Sequence, residues 1–182
     1  MSLESHILNS PLWWKKQLDF RHLKSPVTRI HFVAHPSNET LPDPSVLPTN
    51  HWTAFFTISN DLSIRIEVVP TGSPDQPGMV IVESKKYGLT TSAAHVAPAD
   101  VSPGTTVEDL LTVIVNRKRD NYTFAPVGEG CRYWLSVLSG DFVEAEIISK
   151  KDSDTAVEAM EMYWAIGMPP VPRPMARGSF NA

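Results

Sequence analysis

Two short segments of this 182-residue chain carry side chains suited to covalent chemistry. Gly128-Glu129-Gly130-Cys131-Arg132-Tyr133-Trp134 holds the single cysteine, with a glycine on each side of Glu129 and apolar residues at helical spacing beyond it. A thiol in the first turn of a helix sits among backbone N–H groups that lack intrahelical partners, at the positive end of the helix dipole. Both favour the thiolate. Asn50-His51-Trp52 opens a strand after a long loop, and a histidine there can accept the thiol proton or pair with the thiolate. A third polar group must then hold the ring. Ser63, Arg65 and Glu67 share one face of the following strand, and Glu67 is the carboxylate among them. The expected catalytic group is therefore Cys131, His51 and Glu67. Trp52, Arg65, Arg132 and Trp134 are the expected substrate contacts, the guanidinium groups for a carboxylate or phosphate and the indoles as pocket walls. Each residue also has a plainer reading: Cys131 as a small core hydrophobe, His51 as a structural histidine, both tryptophans as core.

These groups need a scaffold, and alternation supplies its first half. Strands are expected over Val27–Ala34, His51–Ser59, Leu62–Pro70 and Met79–Ser84, with Asn60-Asp61 as a hairpin turn. His35–Asn50 and Gly72–Gly78 read as Pro-rich loops. Helical spacing dominates later. Thr105 and Glu108 suggest a capping box before Val107, Leu110, Leu111, Ile114 and Val115. A second helix is expected from Cys131 to Gly140, then a strand over Phe142–Ile148, then a helix from Thr155, with Glu158 closing its capping box, to Gly167. Residues 1–26 read as an arm with a helix over 11–22, its Trp13-Trp14 pair packed on the body or on a second copy, so a homodimer is among the expectations. Residues 27–168 form one domain, and 169–182 a Pro-rich extended tail with a mobile end. The fold class is α+β, an antiparallel sheet with helices on one face.

Composition narrows the function. Sixteen basic against 20 acidic residues give a net charge of −4, and Arg117-Lys118-Arg119 is answered at once by Asp120, so no nucleic-acid partner is expected. No apolar run approaches the ~20 residues that span a bilayer, and the first residues lack the basic and apolar regions of a secretory signal, so the cytoplasm is the expected compartment. One cysteine excludes an internal disulfide and a multi-cysteine zinc site. The histidines show no metal-site spacing. No metal and no cofactor are expected.

The segment His51-Trp52-Thr53-Ala54-Phe55-Phe56, with a cysteine later at the start of a helix, resembles the circularly permuted NlpC-type branch of the papain-like fold, which includes lecithin:retinol acyltransferase-like proteins. The resemblance covers about residues 50–138. It departs from the pattern where Gly130 stands in place of an asparagine before the cysteine, and where no second histidine follows about a dozen residues after His51. Asn50–Trp52 and Tyr122–Trp134 also look similar to an uncharacterised fungal family linked to natural-product biosynthesis. These likenesses imply a permuted papain-like core and a small acyl or polyketide substrate. The implied reaction is thioester or ester hydrolysis, acyl transfer, or lactone closure. Two other readings stand beside it: an acid–base cyclase with no covalent step, and a non-catalytic binding or dimerisation module.

Overall fold

The computed structural model describes residues 2–37, 47–73 and 75–181. Much of the expected loop at 35–50 lies outside the described residues. A six-stranded mixed sheet is faced by helices, an α+β arrangement. The strands are β1 (Trp13–Trp14), β2 (Arg29–Ala34), β3 (Trp52–Ser59), β4 (Leu62–Val69), β5 (Met79–Lys85) and β6 (His95–Asp100), in spatial order β1-β5-β4-β3-β2-β6. The four expected strands thus form the middle of the sheet, pairing antiparallel from β2 through β5.

Alternation along these strands assigns the two faces. Ile30, Phe32, Trp52, Ala54, Phe56, Ile64, Ile66, Val80 and Val82 join one core cluster with the helices. His31, Thr53, Phe55, Arg65, Glu67 and Glu83 alternate with them onto the other face. The helices are α1 (Leu3–Asn9), α2 (Val107–Asn116), α3 (Cys131–Glu144) and α4 (Lys150–Met160). α2 buries Val107, Leu110, Leu111 and Ile114, and α3 buries Trp134, Leu135, Leu138 and Phe142, the spacings of one helical face. α3 lies across β3 and β4, and α4 lies against α3 and β6. Among the described residues no helix is long and apolar enough to cross a membrane.

The structure corrects several expectations. Residues 11–22 do not form one helix; only a 3-10 turn at Phe20–Lys24 overlaps their end. The short helix is α1, and Trp13-Trp14 instead extends the sheet parallel to β5, which makes the sheet mixed rather than antiparallel. The Trp13 indole N–H donates to Asp120 at 2.8 Å, and Val80 N–H donates to Leu12 C=O, so the arm packs on the body. The α2 capping box is Thr106 with Asp109, one residue later than expected. β6 was not foreseen: Pro98 interrupts its pattern, and an edge strand tolerates the missing N–H. Phe142–Ile148 is not a strand. Gly140 has open space around it and does not stop α3, which continues to Glu144 before Glu146 turns the chain at a positive φ of 58°. α4 starts at Lys150 behind the Ser149 cap, with Thr155 in its interior.

The Pro-rich tail is also paired. β7 (Tyr122–Thr123) takes up β10 (Ser179–Phe180), and β8 (Met162–Tyr163) takes up β9 (Val171–Pro172). Arg132 and Tyr122 hold this tail from inside the domain, which local composition does not reveal.

Phe142 tests the sheet–helix packing, since it is fully buried with its ring edge-on to Phe56 at 6.2 Å. Phe142→Ala is expected to cost about 3–5 kcal/mol, and Thr106→Ala, which opens the capping box, about 1 kcal/mol. Urea titration should show both as shifts of the midpoint with an unchanged slope.

Candidate active site

Packing of α3 across β3 and β4 sets the helix N-terminus beside the start of β3, and this brings Cys131, His51 and Glu67 together. Gly130 caps α3 without any side-chain hydrogen bond, and the helical ladder begins only with Trp134 N–H donating to Gly130 C=O. The N–H groups of the first turn, Cys131 included, therefore lie ahead of the ladder and point out of the helix end. Gly128 has φ of 79°, a conformation that glycine adopts freely. At Gly130 the constraint is space: a Cβ there would meet the Tyr122 hydroxyl at 2.6 Å and the Phe124 ring at 3.0 Å. That contact explains why no asparagine precedes the cysteine in this chain. Tyr122 completes the support by donating to Gly130 C=O at 3.0 Å and accepting from Gly178 N–H at 3.1 Å.

The His51 ring stands between two partners. Its Nε2 makes a short hydrogen bond with Glu67 Oε2, and the ring is also close enough to the Cys131 thiol for each to favour the charged form of the other. The Trp52 backbone N–H also favours the thiolate. With Ala54 paired to Ile66, Glu67 falls one residue further along β4, beside the start of β3, which is what places its carboxylate against His51. The other oxygen of Glu67 accepts from Arg65 Nη2. Behind it, Arg65 Nη1 is 3.8 Å from Glu83 Oε2, and Lys85 Nζ is 2.5 Å from the same oxygen.

The electrostatics favour an ion pair. Burial works against a charged imidazole, but the hydrogen bonds and negative charge of Cys131 and Glu67 override it and raise the His51 pKa to about 10. Burial likewise pushes the Cys131 thiol up. The His51 hydrogen bond and charge, the Trp52 N–H and the nearby Arg132 guanidinium outweigh it and bring the thiol below its ordinary value. For Glu67, burial favours the neutral acid, and His51 and then Arg65 hold the pKa below the usual carboxylate range. His35 stacks on His51, ring centroids 6.1 Å apart, and bonds Thr53 Oγ1 at 2.9 Å. Burial, reinforced by the charges of His51 and Arg65, lowers the His35 pKa to about 4, so at neutral pH it is an uncharged neighbour.

A cavity of about 510 Å³ opens over Cys131 and His51. Val68, Val69, Pro70, Phe124 and Val127 form its apolar side, and Thr49 and Asn50 its polar rim. The expected substrate contacts are placed differently. Trp52 and Trp134 are fully buried in the core, and Trp134 donates to Arg119 C=O. Arg65 braces Glu67. Arg132 borders the cavity, but its guanidinium is engaged by the carbonyls of Met160, Arg173 and Pro174 and by Glu129. Sequence reasoning left His35 and Phe124 without a role. The first lies at a loop start and the second within a short, irregular segment, and neither shows a periodic pattern. Among the described residues no group of three or more His, Cys, Asp or Glu side chains is placed to hold a metal ion.

Two measurements check this geometry. Iodoacetamide should modify Cys131 in the folded protein with a midpoint below the ~8.5 of a free thiol, and His51→Ala should move that midpoint upward, Glu67→Gln less so. Alkylation only after unfolding would refute the arrangement. His35 should make the fold acid-sensitive. The unfolded chain takes up its proton first, near pH 6.5, so stability should fall as pH drops from about 6.5 to about 4. His35→Gln should flatten that part of the profile in urea titrations.

No curated protein and no solved structure matches the chain. A family model described as a domain of unknown function, DUF7770, matches residues 30–181, which takes in every strand from β3 onward, all of α2 to α4 and each member of the Cys131–His51–Glu67 group. The chain belongs to the DUF7770 family.

Proposed function

We propose that this protein is a cysteine-dependent acyl-processing enzyme, acting on a small thioester or ester through a covalent acyl–Cys131 intermediate. The observation that carries the reading is Cys131 and His51 lining one cavity, with Glu67 hydrogen-bonded to His51 behind it and the thiol at an uncapped helix start. A strand-start histidine against a helix-start cysteine also supports the permuted papain-like core that the sequence resembles, and with it a substrate such as an acyl or polyketide chain.

The chemistry follows from the charges. The Cys131 thiolate attacks the carbonyl carbon, a C–S bond forms, and the carbonyl π pair moves onto oxygen. N–H groups at the start of α3 face that oxyanion. As the tetrahedral species collapses, the bond to the leaving thiol or alcohol breaks and the His51 imidazolium supplies its proton. Neutral His51 then takes a proton from water, or from an acceptor hydroxyl, as that oxygen attacks the acyl carbon, and collapse of the tetrahedral species breaks the C–S bond. Departure of the product restores the thiolate and the imidazolium. Glu67 keeps the ring oriented and its positive charge compensated throughout, and Arg65 keeps Glu67 in place. A lactone forms when the attacking hydroxyl belongs to the acyl chain itself.

The resting charge state bears on the cyclase reading without a nucleophile. A histidine held protonated up to pH about 10 is poorly suited to begin the reaction as a base, whereas it is ready to act as an acid toward a leaving group.

Incubation with a panel of acyl N-acetylcysteamine thioesters should yield a mass increase of one acyl group on Cys131. It should be absent in Cys131→Ala and slowed about 10²- to 10⁴-fold in His51→Ala. The profile of kcat/KM against pH should rise with thiolate formation below the ordinary thiol range and fall near pH 10 as His51 loses its proton. Turnover that survives Cys131→Ala but not His51→Ala would replace the covalent mechanism with the acid–base one.

A further inference from the structure

The cavity over Cys131 has a neighbour. A second cleft of about 170 Å³ lies beside it, bordered by Ser73, Gln76 and Ala125, and it shares Pro70, Phe124 and Gly128 with the first. No charged residue lines it among those described. On the side leading to it, the first cavity presents Val68, Val69 and Pro70, also uncharged.

The shared wall is a single, fixed ring. A Cβ at Gly78 would meet Phe124 Cε2 at 2.6 Å, and one at Gly130 would meet Phe124 Cδ1 at 3.0 Å. Tyr122 packs edge-on against the same ring with centroids 5.4 Å apart. Backbone at two glycines and the Tyr122 ring thus wedge Phe124 in place, between the reactive thiol and a patch of apolar surface that the chemistry described above does not use.

We infer that the second cleft is the subsite for the hydrocarbon end of the acyl group, and that Phe124 sets how long a chain the site accepts. This rests on the reading of Cys131 as the acyl acceptor and adds the substrate class: an extended, uncharged alkyl chain on the acyl carbon, in preference to a charged or peptide substituent. A carbonyl held at Cys131 directs its chain past Phe124 along apolar surface, and each methylene taken out of water there raises affinity about fourfold.

The test uses non-cleavable probes, N-acetyl-N′-acylethylenediamines (the amide counterparts of the N-acetylcysteamine thioesters) of straight saturated acids from acetyl to dodecanoyl, with binding to the full chain followed by calorimetry. Affinity should climb by about fourfold per methylene and then level off once the second cleft is filled. Gln76 is exposed, so Gln76→Trp fills the cleft without disturbing the core and should bring the plateau at shorter chains. Phe124→Leu should move it to longer ones. Affinity that ignores chain length, or a plateau unmoved by Gln76→Trp, overturns the subsite. Failure of the catalytic reading is seen separately: thioesters of the same acids would then leave no acyl group on Cys131, whatever the amides show.

Discussion

A compensated row of charges begins at the Cys131 sulfur and runs across the sheet, and the polar face of the sheet is organised around it. Cys131, His51, Glu67, Arg65, Glu83 and Lys85 alternate in sign when the first is a thiolate. Glu67 and Glu83 are largely buried, and a lone carboxylate at either place would meet a desolvation penalty of several kcal/mol. The cation on each side offsets it. Neutralising any one member leaves its neighbours with a surplus, so the charge beside Cys131 is linked, through His51 at the entry to β3, to residues on β4 and β5.

That row exists because strand pairing and helix packing agree. Period-two alternation sends Arg65, Glu67 and Glu83 to the face opposite the core, while Ile64, Ile66 and Val82 anchor the same strands to the helices. α3 is positioned by Trp134, Leu138 and Phe142 against that core, and its first residue is carried to the sheet edge where β3 starts. Packing thus does the positioning, and the polar face supplies the titratable groups. Between them lies the Trp52 peptide, whose side chain is core and whose N–H favours the thiolate.

Much of this was legible in the sequence. The clear alternation of β2 to β5 and the helical spacing of α2 reflect one buried face each, and the glycines around Glu129 marked the helix start at Cys131. Glu67 could be named because Ser63, Arg65 and Glu67 had to share a face. What escaped reading depends on distant partners. Trp13-Trp14 is a strand only because β5 leaves an edge for it. β6 carries a proline that only an edge position tolerates. Arg132 is buried because carbonyls from Met160, Arg173 and Pro174 converge on it. The apolar side of the cavity is built from Val68, Val69, Phe124 and Val127, types that read as ordinary core or loop until the fold places them over a thiol.

The anchoring of the tail has a consequence for the order of assembly. Gly130, which sets the start of α3, is held by Tyr122, and Tyr122 in turn bonds Gly178 and packs against Phe180. Arg132, one residue past the cysteine, reaches to Arg173 and Pro174. During synthesis, residues 51, 67 and 131 are all made well before 173–180, so the nascent chain holds all three side chains before the strap that supports the start of α3 exists. The first turn of α3 is thus completed by contacts from the C-terminal residues, which become available only after every strand of the main sheet has been made.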